Sequence, residues 1–485
     1  MDKVKEYLKV IDKVIEQGKY KDEWESLKGY GEAQWLKDSK FGIYSHWGVY
    51  TVPAIGDEWY SRKMYDKKSA CYRSHVKTYG APDTFGYKDL IPLFKGEKFD
   101  AETWIQLFKN WGAKYYCLVT EHHEGFKMYK SDLNRWNAAE MGPKSDIFGA
   151  LVDAGKKYGL IIGATNHMAE HYWFMNKGRE IPSDVQDEKY RDFYGPAFLC
   201  DDYNAINPPK EWCEYWLACC CEEVDRYHPR IFYFDWWIER LAWKPYLKKF
   251  AAYYYNRSEE WGEKVVLFYK HDAFMKGTAT CNFERGGLSE MSNCVWQTGT
   301  ATAYNSFSYT PANIYKNPKV LIRTLIDIVS KNGCLMLDVC PKSDGTFCDE
   351  EMNLLNEIGN YLSVNGEAIY ESEPFWVYGE GNTNEGGKSF QEFKKNTYSK
   401  SDFRFTYKTN TIYAFAMNLS KEGEYHIKSI ASENGKAVIT SIDKIEILGY
   451  PNRVEFNLSN NGLKLKVIGS IKTNYPLCFK IYLPK

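Results

Sequence analysis

The sequence predicts an α/β chain in two parts. A (β/α)8-like TIM barrel with an N-terminal helical extension covers residues 1–370, and an all-β sandwich covers 371–485. Three observations predict it. Between about residues 40 and 340, seven short apolar runs alternate with amphipathic helical segments, the pattern of parallel strands buried on both faces. Beyond about 370 the helical segments stop, and short alternating apolar–polar stretches follow, separated by Ser, Asn and Gly turns. The first apolar run continues as SHWGVYTVPA and not as GxGxxG, which argues against an open, doubly wound dinucleotide-binding sheet.

Taken in order, residues 1–38 read as one or two helices with Ile11, Val14 and Ile15 on one face. The strand candidates are FGIYSHW (41–47), KYYCLVT (114–120), LIIGAT (160–165), IFYFDWW (231–237), VVLFYK (265–270), CVWQT (294–298) and CLMLDV (334–339). Seven runs leave the eighth barrel strand short or unrecognised. Helix candidates between them include AETWIQLFKNWG (101–112), SDIFGALVDAGKKYG (145–159), PPKEWCEYWLACCCEEVDRYH (208–228) and KVLIRTLIDIVSKNG (319–333). The third has helical apolar spacing, which places Cys219, Cys220 and Cys221 in the core. ESEPFWVYGEGNTNEGGK (371–388) is the expected junction, and roughly eight strands follow it.

A chain of 485 residues can bury large cores without a disulfide or metal staple. Its net charge of -1 argues against a nucleic-acid or anionic-membrane binder. No stretch approaches the ~20 apolar residues of a membrane span, and the charged N-terminus lacks the apolar centre of a signal peptide. The 13 cysteines are odd in number, scattered and without a CxxC pair. That favours reduced thiols, no cysteine-built zinc site and a cytoplasmic chain, or a secreted one if a leader was removed. Aromatic residues make up 17% of the chain, which suits either a large core or a site that offers ring faces to a sugar.

In a barrel the chemistry lies at the C-terminal ends of the strands. Six of the nine histidines fall at such ends: His46, His122, His123, His167, His171 and His271. Two chemistries suit a rim of histidines and carboxylates. A metal-dependent hydrolase would want an HxH pair after the first strand, where only His46 stands, followed by Trp47. Adjacent His122 and His123 on a regular strand would point to opposite faces, so no metal is expected. A retaining glycosidase needs two carboxyl groups ~5–5.5 Å apart. Asp235, at the end of IFYF, is the best nucleophile. The second carboxylate is Glu284 or Glu290, both read as lying in the long connection after the fifth strand, with Glu284 on a loop able to close over a sugar.

Several segments, in the right order over residues 40–375, resemble the α-L-fucosidases of glycoside hydrolase family 29. KFGIYSHWGVYTVPAIGDEWY is similar to KFGIFIHWG…SVPA…EWY, and GAKYYCLVTEHHEGFKMYKS to GAKY…KHHDGF. CLMLDVCPKSDGTF is similar to LLLN(V/I)xPxxDGxI, and VNGEAIYESEPF to VNGEAIYxxxPW. The resemblance implies a catalytic barrel, a C-terminal β-sandwich, and retaining hydrolysis of terminal α-L-fucose through a covalent fucosyl-enzyme, without metal or cofactor. The implied partner is a fucosylated oligosaccharide or glycoconjugate. Carried over by position, Asp235 is the nucleophile, and His46, Glu58, Trp59, His122 and His123 contact fucose. Phe307 packs on its apolar face, and Trp296 is a second ring of that kind. Trp236-Trp237 stands in place of a Gly pair, and Lys270 in place of an Arg. TNHMAEHYW stands in place of YYSxxEW, so that His167 or His171 replaces a Tyr contact. Glu284 matches the acid/base by order and spacing, with Glu290 the alternative. The departures keep open a catalytically inactive fucose-binding homologue; shared hydroxyl stereochemistry keeps open a related exo-glycosidase for a galactose-like sugar, and the histidine rim, further off, a metal-dependent barrel hydrolase.

Overall fold

Eight parallel strands close into a barrel in chain order: β1 (Phe41–Ser45), β2 (Tyr115–Glu121), β3 (Ile161–Asn166), β4 (Ile231–Phe234), β5 (Val266–Tyr269), β6 (Thr280–Glu284), β7 (Trp296–Ala301) and β8 (Gly333–Val339). The computed structural model describes residues 2–484 apart from 388 and 391–396. Closure is made by β8 on β1, in register from Phe41 opposite Leu335 to Ser45 opposite Val339. Strands β1, β2, β4, β5, β7 and β8 are buried along their whole length, as strands between a packed interior and an outer layer must be.

The strand missing from the sequence reading is β6. Its sequence, TCNFE, is polar and mostly half-buried, so it carries no apolar run. It is a strand because it fills the gap between β5 and β7, with Phe268 opposite Thr280 on one side and Asn282 opposite Gln297 on the other. This corrects the placing of Glu284, which ends a barrel strand and does not lie on a loop.

Helices cover much of the barrel. The longest are α1 (Asp2–Gln17), α2 (Ala101–Asn110) between β1 and β2, α3 (Ile147–Tyr158) between β2 and β3, and α4 (Lys210–Tyr227) between β3 and β4. Next come α5 (Lys244–Trp261) between β4 and β5, α6 (Pro318–Ser330) between β7 and β8, and α7 (Asp349–Asn365) after β8. Local signals set their ends. Asp100 accepts the Thr103 N–H at 2.7 Å to start α2, and Asp146 accepts the Gly149 N–H at 3.1 Å to start α3. Gly159, at φ 68°, ends α3 in the left-handed conformation. Cys219, Cys220 and Cys221 are buried in α4, as expected. The first 38 residues form more helix than expected, with short turns at Trp24–Lys28 and Gln34–Ser39 after α1. Helix α1 docks on α4 and α5 through Tyr7 Oη to Asp225 at 2.6 Å and Lys249 Nζ to Asp12 at 2.6 Å.

The β5–β6 and β6–β7 connections have no helix. There the C-terminal region leans onto the barrel: Gly387 N–H donates to Gly287 O at 2.6 Å and Phe390 N–H to Glu284 O at 2.7 Å. Its strands are β9 (Glu373–Glu380), β10 (Phe403–Lys408), β11 (Thr411–Ala416), β12 (Glu424–Ile427), β13 (Ile430–Ala431), β14 (Ala437–Val438), β15 (Lys444–Ile447), β16 (Val454–Ser459), β17 (Gly462–Val467) and β18 (Leu477–Tyr482). They form a five-stranded sheet in the order β15-β18-β11-β10-β9, a three-stranded sheet β12-β17-β16 and the short pair β13-β14. Phe403, Phe405 and Ile412 of the first sheet share one apolar core with Tyr425, Leu463 and Leu465 of the second. Buried Arg404 of β10 pairs with Asp327 of α6 and joins this unit to the barrel.

All 13 cysteines are free thiols. Among the described residues no helix is long and apolar enough to cross a membrane.

Candidate active site

The C-terminal ends of the strands converge on a cavity of about 410 Å³. β1 supplies His46, β2 leads into His122 and His123, and β3 into His167. β4 supplies Asp235, β5 Lys270, and β6 ends on Glu284. Glu58 and Trp59 enter from the loop after β1, and Phe307 from the loop after β7. His122 and His123 both line the cavity, against the expectation for adjacent strand residues. β2 ends at Glu121, after a register shift against β3, so the pair lies beyond regular strand geometry.

The two carboxylates are joined by one cation. Lys270 Nζ donates to Asp235 Oδ1 and, at 2.6 Å, to Glu284 Oε2. Two hydrogen bonds from one ammonium span at most about 6 Å. Burial alone would raise the Asp235 carboxyl, but the Lys270 ammonium, helped by His167 and His123, holds it well below the ordinary carboxylate value. Burial likewise opposes the Lys270 charge, and the two carboxylates outweigh it and hold the ammonium well above its ordinary value. Asp235 Oδ2 faces the histidines, 3.3 Å from His167 Nδ1 and 3.5 Å from His123 Nε2.

The histidines are buried and neutral. Burial lowers His46, with the neighbouring His167 and His122 adding to it, and pushes His122 down to about 3. His123 and His167 are also held well below the ordinary value, by burial first. Neutral imidazoles offer one donor and one acceptor each, which suits sugar hydroxyls. His46 Nδ1 is 2.9 Å from Asp338 Oδ1, which fixes its ring. Trp59 packs edge-on against His123, with ring centres 5.6 Å apart.

Glu58 accepts the Phe307 N–H at 3.0 Å and so joins the β1 and β7 loops. Burial, then Asp57, lifts its carboxyl to about 7. The Arg285 guanidinium lies 4.1 Å from the Phe307 ring centre and backs that ring.

Three expected site residues lie elsewhere. His171 is behind the cavity, with Nδ1 2.8 Å from His123 O and Nε2 2.8 Å from Phe193 O, and burial pushes it down to about 4. It braces the backbone of His123 and does not line the pocket. Trp296 starts β7, so it sits at the opposite rim, with Nε1 bonded to Lys331 O at 3.0 Å and its ring edge-on to Phe283. Glu290 is exposed and outside the cavity. The wider aromatic expectation divides in the same way. Trp236, Trp59 and Phe307 face the cavity. Trp47, Trp173 and Trp237 are buried, Trp47 among Phe94, Phe99 and Trp104.

Three lining residues escaped the sequence reading. Tyr44 and Tyr233 stand two residues before His46 and Asp235, on the same strand face, and the period of two would have found them. Phe390 comes from the C-terminal region, and no local signal points to it.

The sequence model of the family described as Alpha-L-fucosidase matches residues 8–367. The tissue alpha-L-fucosidase of Bos taurus is 29% identical over 465 residues, covering 93% of this chain and 87% of that protein. The crystal structure of the Thermotoga maritima alpha-fucosidase superposes with a TM-score of 0.76 at 26% identity, covering 95% of this chain and all of that one. The same bacterial protein in complex with fucose gives a TM-score of 0.74 at 25% identity, over 95% of this chain and 100% of that one.

Proposed function

The chain belongs to the alpha-L-fucosidase family of glycoside hydrolases, and from that premise we propose that it is an exo-acting, retaining α-L-fucosidase. It removes terminal α-L-fucose from glycans or fucosides through a covalent fucosyl-enzyme. One observation carries this reading: Asp235 and Glu284 share the Lys270 ammonium in the lining of the cavity at the strand ends. Such a bridge keeps the two carboxyl groups close together, as the ~5–5.5 Å separation of a retaining pair requires.

In this mechanism ionised Asp235 attacks the anomeric carbon while Glu284 protonates the departing glycosidic oxygen. Lys270 lies on Glu284 Oε2, which leaves Oε1 for that oxygen. Glu284 then takes a proton from the incoming water, which attacks the anomeric carbon, and Asp235 is released as carboxylate. His46, His122, His123, His167 and Glu58 hydrogen-bond the hydroxyls, and Trp59, Trp236 and Phe307 pack against the C–H face and methyl. The lining combines histidines with the rings of Trp59, Trp236 and Phe307, which supports a sugar with both hydroxyl and C–H surfaces.

The test is hydrolysis of an aryl α-L-fucoside, compared with the β-anomer and an α-galactoside, in the parent protein and in Asp235→Gly. Turnover of the α-fucoside alone, its loss in the variant and its recovery with added azide are expected. Near-parental activity in Asp235→Gly rejects the nucleophile. Fucose binding without turnover in the parent rejects the hydrolase in favour of a sugar-binding protein.

A further inference from the structure

Three histidines of the cavity are arranged for more than hydroxyl groups. His46, His122 and His167 come from three different strand ends, and their ring centres form a nearly equilateral triangle with sides of 5.6, 5.4 and 5.2 Å. One ligand atom from each lies within 4.8 Å of the other two. A tetrahedral ion with Zn–N bonds of ~2.0–2.1 Å puts each ring centre about 3.2 Å away and the ring centres about 5.2 Å apart. The triangle therefore already has the dimensions of a three-histidine site.

The surroundings point the same way. His46 Nδ1 is hydrogen-bonded to Asp338 at 2.9 Å, while His122 Nδ1 lies 3.3 Å from Glu124 and His167 Nδ1 3.3 Å from Asp235, near a carboxylate but without a hydrogen bond to it. A carboxylate hydrogen-bonded to Nδ1 orients a metal-binding histidine and makes its other nitrogen a better donor, which leaves Nε2 as the ligand atom of His46; the nearby carboxylates favour the same atom on His122 and His167. Both nitrogens of buried His167 lack a hydrogen-bond partner with good geometry among the described residues, so this side chain is built for a guest. Two of these features fall where the chain departs from the patterns quoted above: His167 lies in TNHMAEHYW, and Asp338 stands where LLLN has Asn.

We propose that this cavity binds one divalent transition-metal ion, with Zn2+ as the type case, on Nε2 of His46, His122 and His167, in the space a sugar would fill. Metal and sugar then exclude each other, and the ion is an inhibitor. A second trio, His123, His167 and Asp235, is geometrically possible. It is the poorer site because Asp235 is already paired with the Lys270 ammonium, which repels a dication. Imidazole donors suit Zn2+, Cu2+ and Ni2+ and not Mg2+ or Ca2+. The mutual exclusion rests on the sugar-binding reading of the cavity; the metal site itself does not.

The experiment is calorimetric titration of the full-length protein with Zn2+, with and without saturating L-fucose, alongside the visible spectrum with Co2+. Expected are one ion per chain, an affinity at least tenfold weaker in His167→Tyr, and a similar weakening by L-fucose. A Co2+ spectrum without a thiolate charge-transfer band is expected too. If His167→Tyr fails to fold, Asp338→Asn keeps all three rings, and a loss of tenfold or more is expected there. No saturable binding, binding unchanged in the variants, or a thiolate band overturns the proposal. Binding that His167→Tyr abolishes but L-fucose leaves untouched supports the metal site and rejects the sugar-binding reading instead.

Discussion

The two sides of the barrel rim are built in opposite ways. From β1 to β4 the cavity wall is a cluster of buried, neutral histidines, with His46 held by a carboxylate and His123 by a backbone carbonyl, and there is a helix in every β-to-β connection. From β5 to β7 there are no helices. The wall there is charged, with Lys270 and Glu284, and it is completed by Phe390 from the C-terminal region. Recognition of hydroxyl groups needs fixed donors and acceptors, which a tightly packed wall supplies. Proton transfer to a leaving group needs an opening, which the helix-free side leaves. The C-terminal unit therefore does more than stabilise the barrel: it holds the backbone of Glu284 on both sides, through Ser389 Oγ and the Phe390 N–H.

If this contrast is right, the largest effects come from the charged side. Glu284→Ala should lower kcat on an unactivated fucoside by about 10²–10⁴-fold, with far less loss on an activated aryl fucoside. An equal loss on both substrates would remove Glu284 as the proton donor. Lys270→Met tests the shared cation. The ammonium now holds Asp235 ionised well below the ordinary value, against the upward pull of burial. Without it the carboxyl rises, so the acidic limb of the kcat/KM–pH profile should move to higher pH. Lys270→Arg should restore the limb, and an unmoved limb in Lys270→Met would sink the assignment.

The histidine side should respond mainly through stability. His171→Phe removes the group facing the His123 and Phe193 carbonyls and should cost about 1–3 kcal/mol in denaturant unfolding. A variant as stable as the parent would show that this wall is not held rigid in the way described. The smallest effect belongs to the C-terminal lip. Phe390→Ala should raise KM for an aryl fucoside by about 2–10-fold, as the loss of an aromatic contact does, with kcat unchanged. A fall in kcat without a change in KM would mean that Phe390 acts through Glu284 and not on the substrate.

The same division explains what could be read from the sequence. Most of the barrel strands contain apolar runs, as strands buried on both faces tend to, although β7 (WQTGTA) buries Gln297, Thr298 and Thr300 as well. Asp235, His46 and the His122-His123 pair could then be located simply as the residues ending those runs. β6 lacked that signal. TCNFE pairs through only a few residues on each edge, and its neighbours, not its composition, make it a strand. Glu284 was picked out for its chemistry while its structural setting was misread. Trp296 was misplaced for a related reason: CVWQT overlaps only the first half of β7, and Trp296 stands at the strand's start, at the rim opposite the cavity.

By itself, then, the sequence determined the alternation that makes a barrel, the change to short strands near 370, and the chemical types waiting at the strand ends. These depend on periodicity and on local turn and cap signals, which act over a few residues. The tertiary structure alone decided that one ammonium binds both carboxylates, that three imidazoles form a triangle over three strand ends, and that His171 faces carbonyls and not a ligand. It also brought Phe390 to the cavity from more than 100 residues beyond Glu284. Those contacts join residues far apart in the chain, and they exist only because barrel closure fixes each strand end against its neighbours.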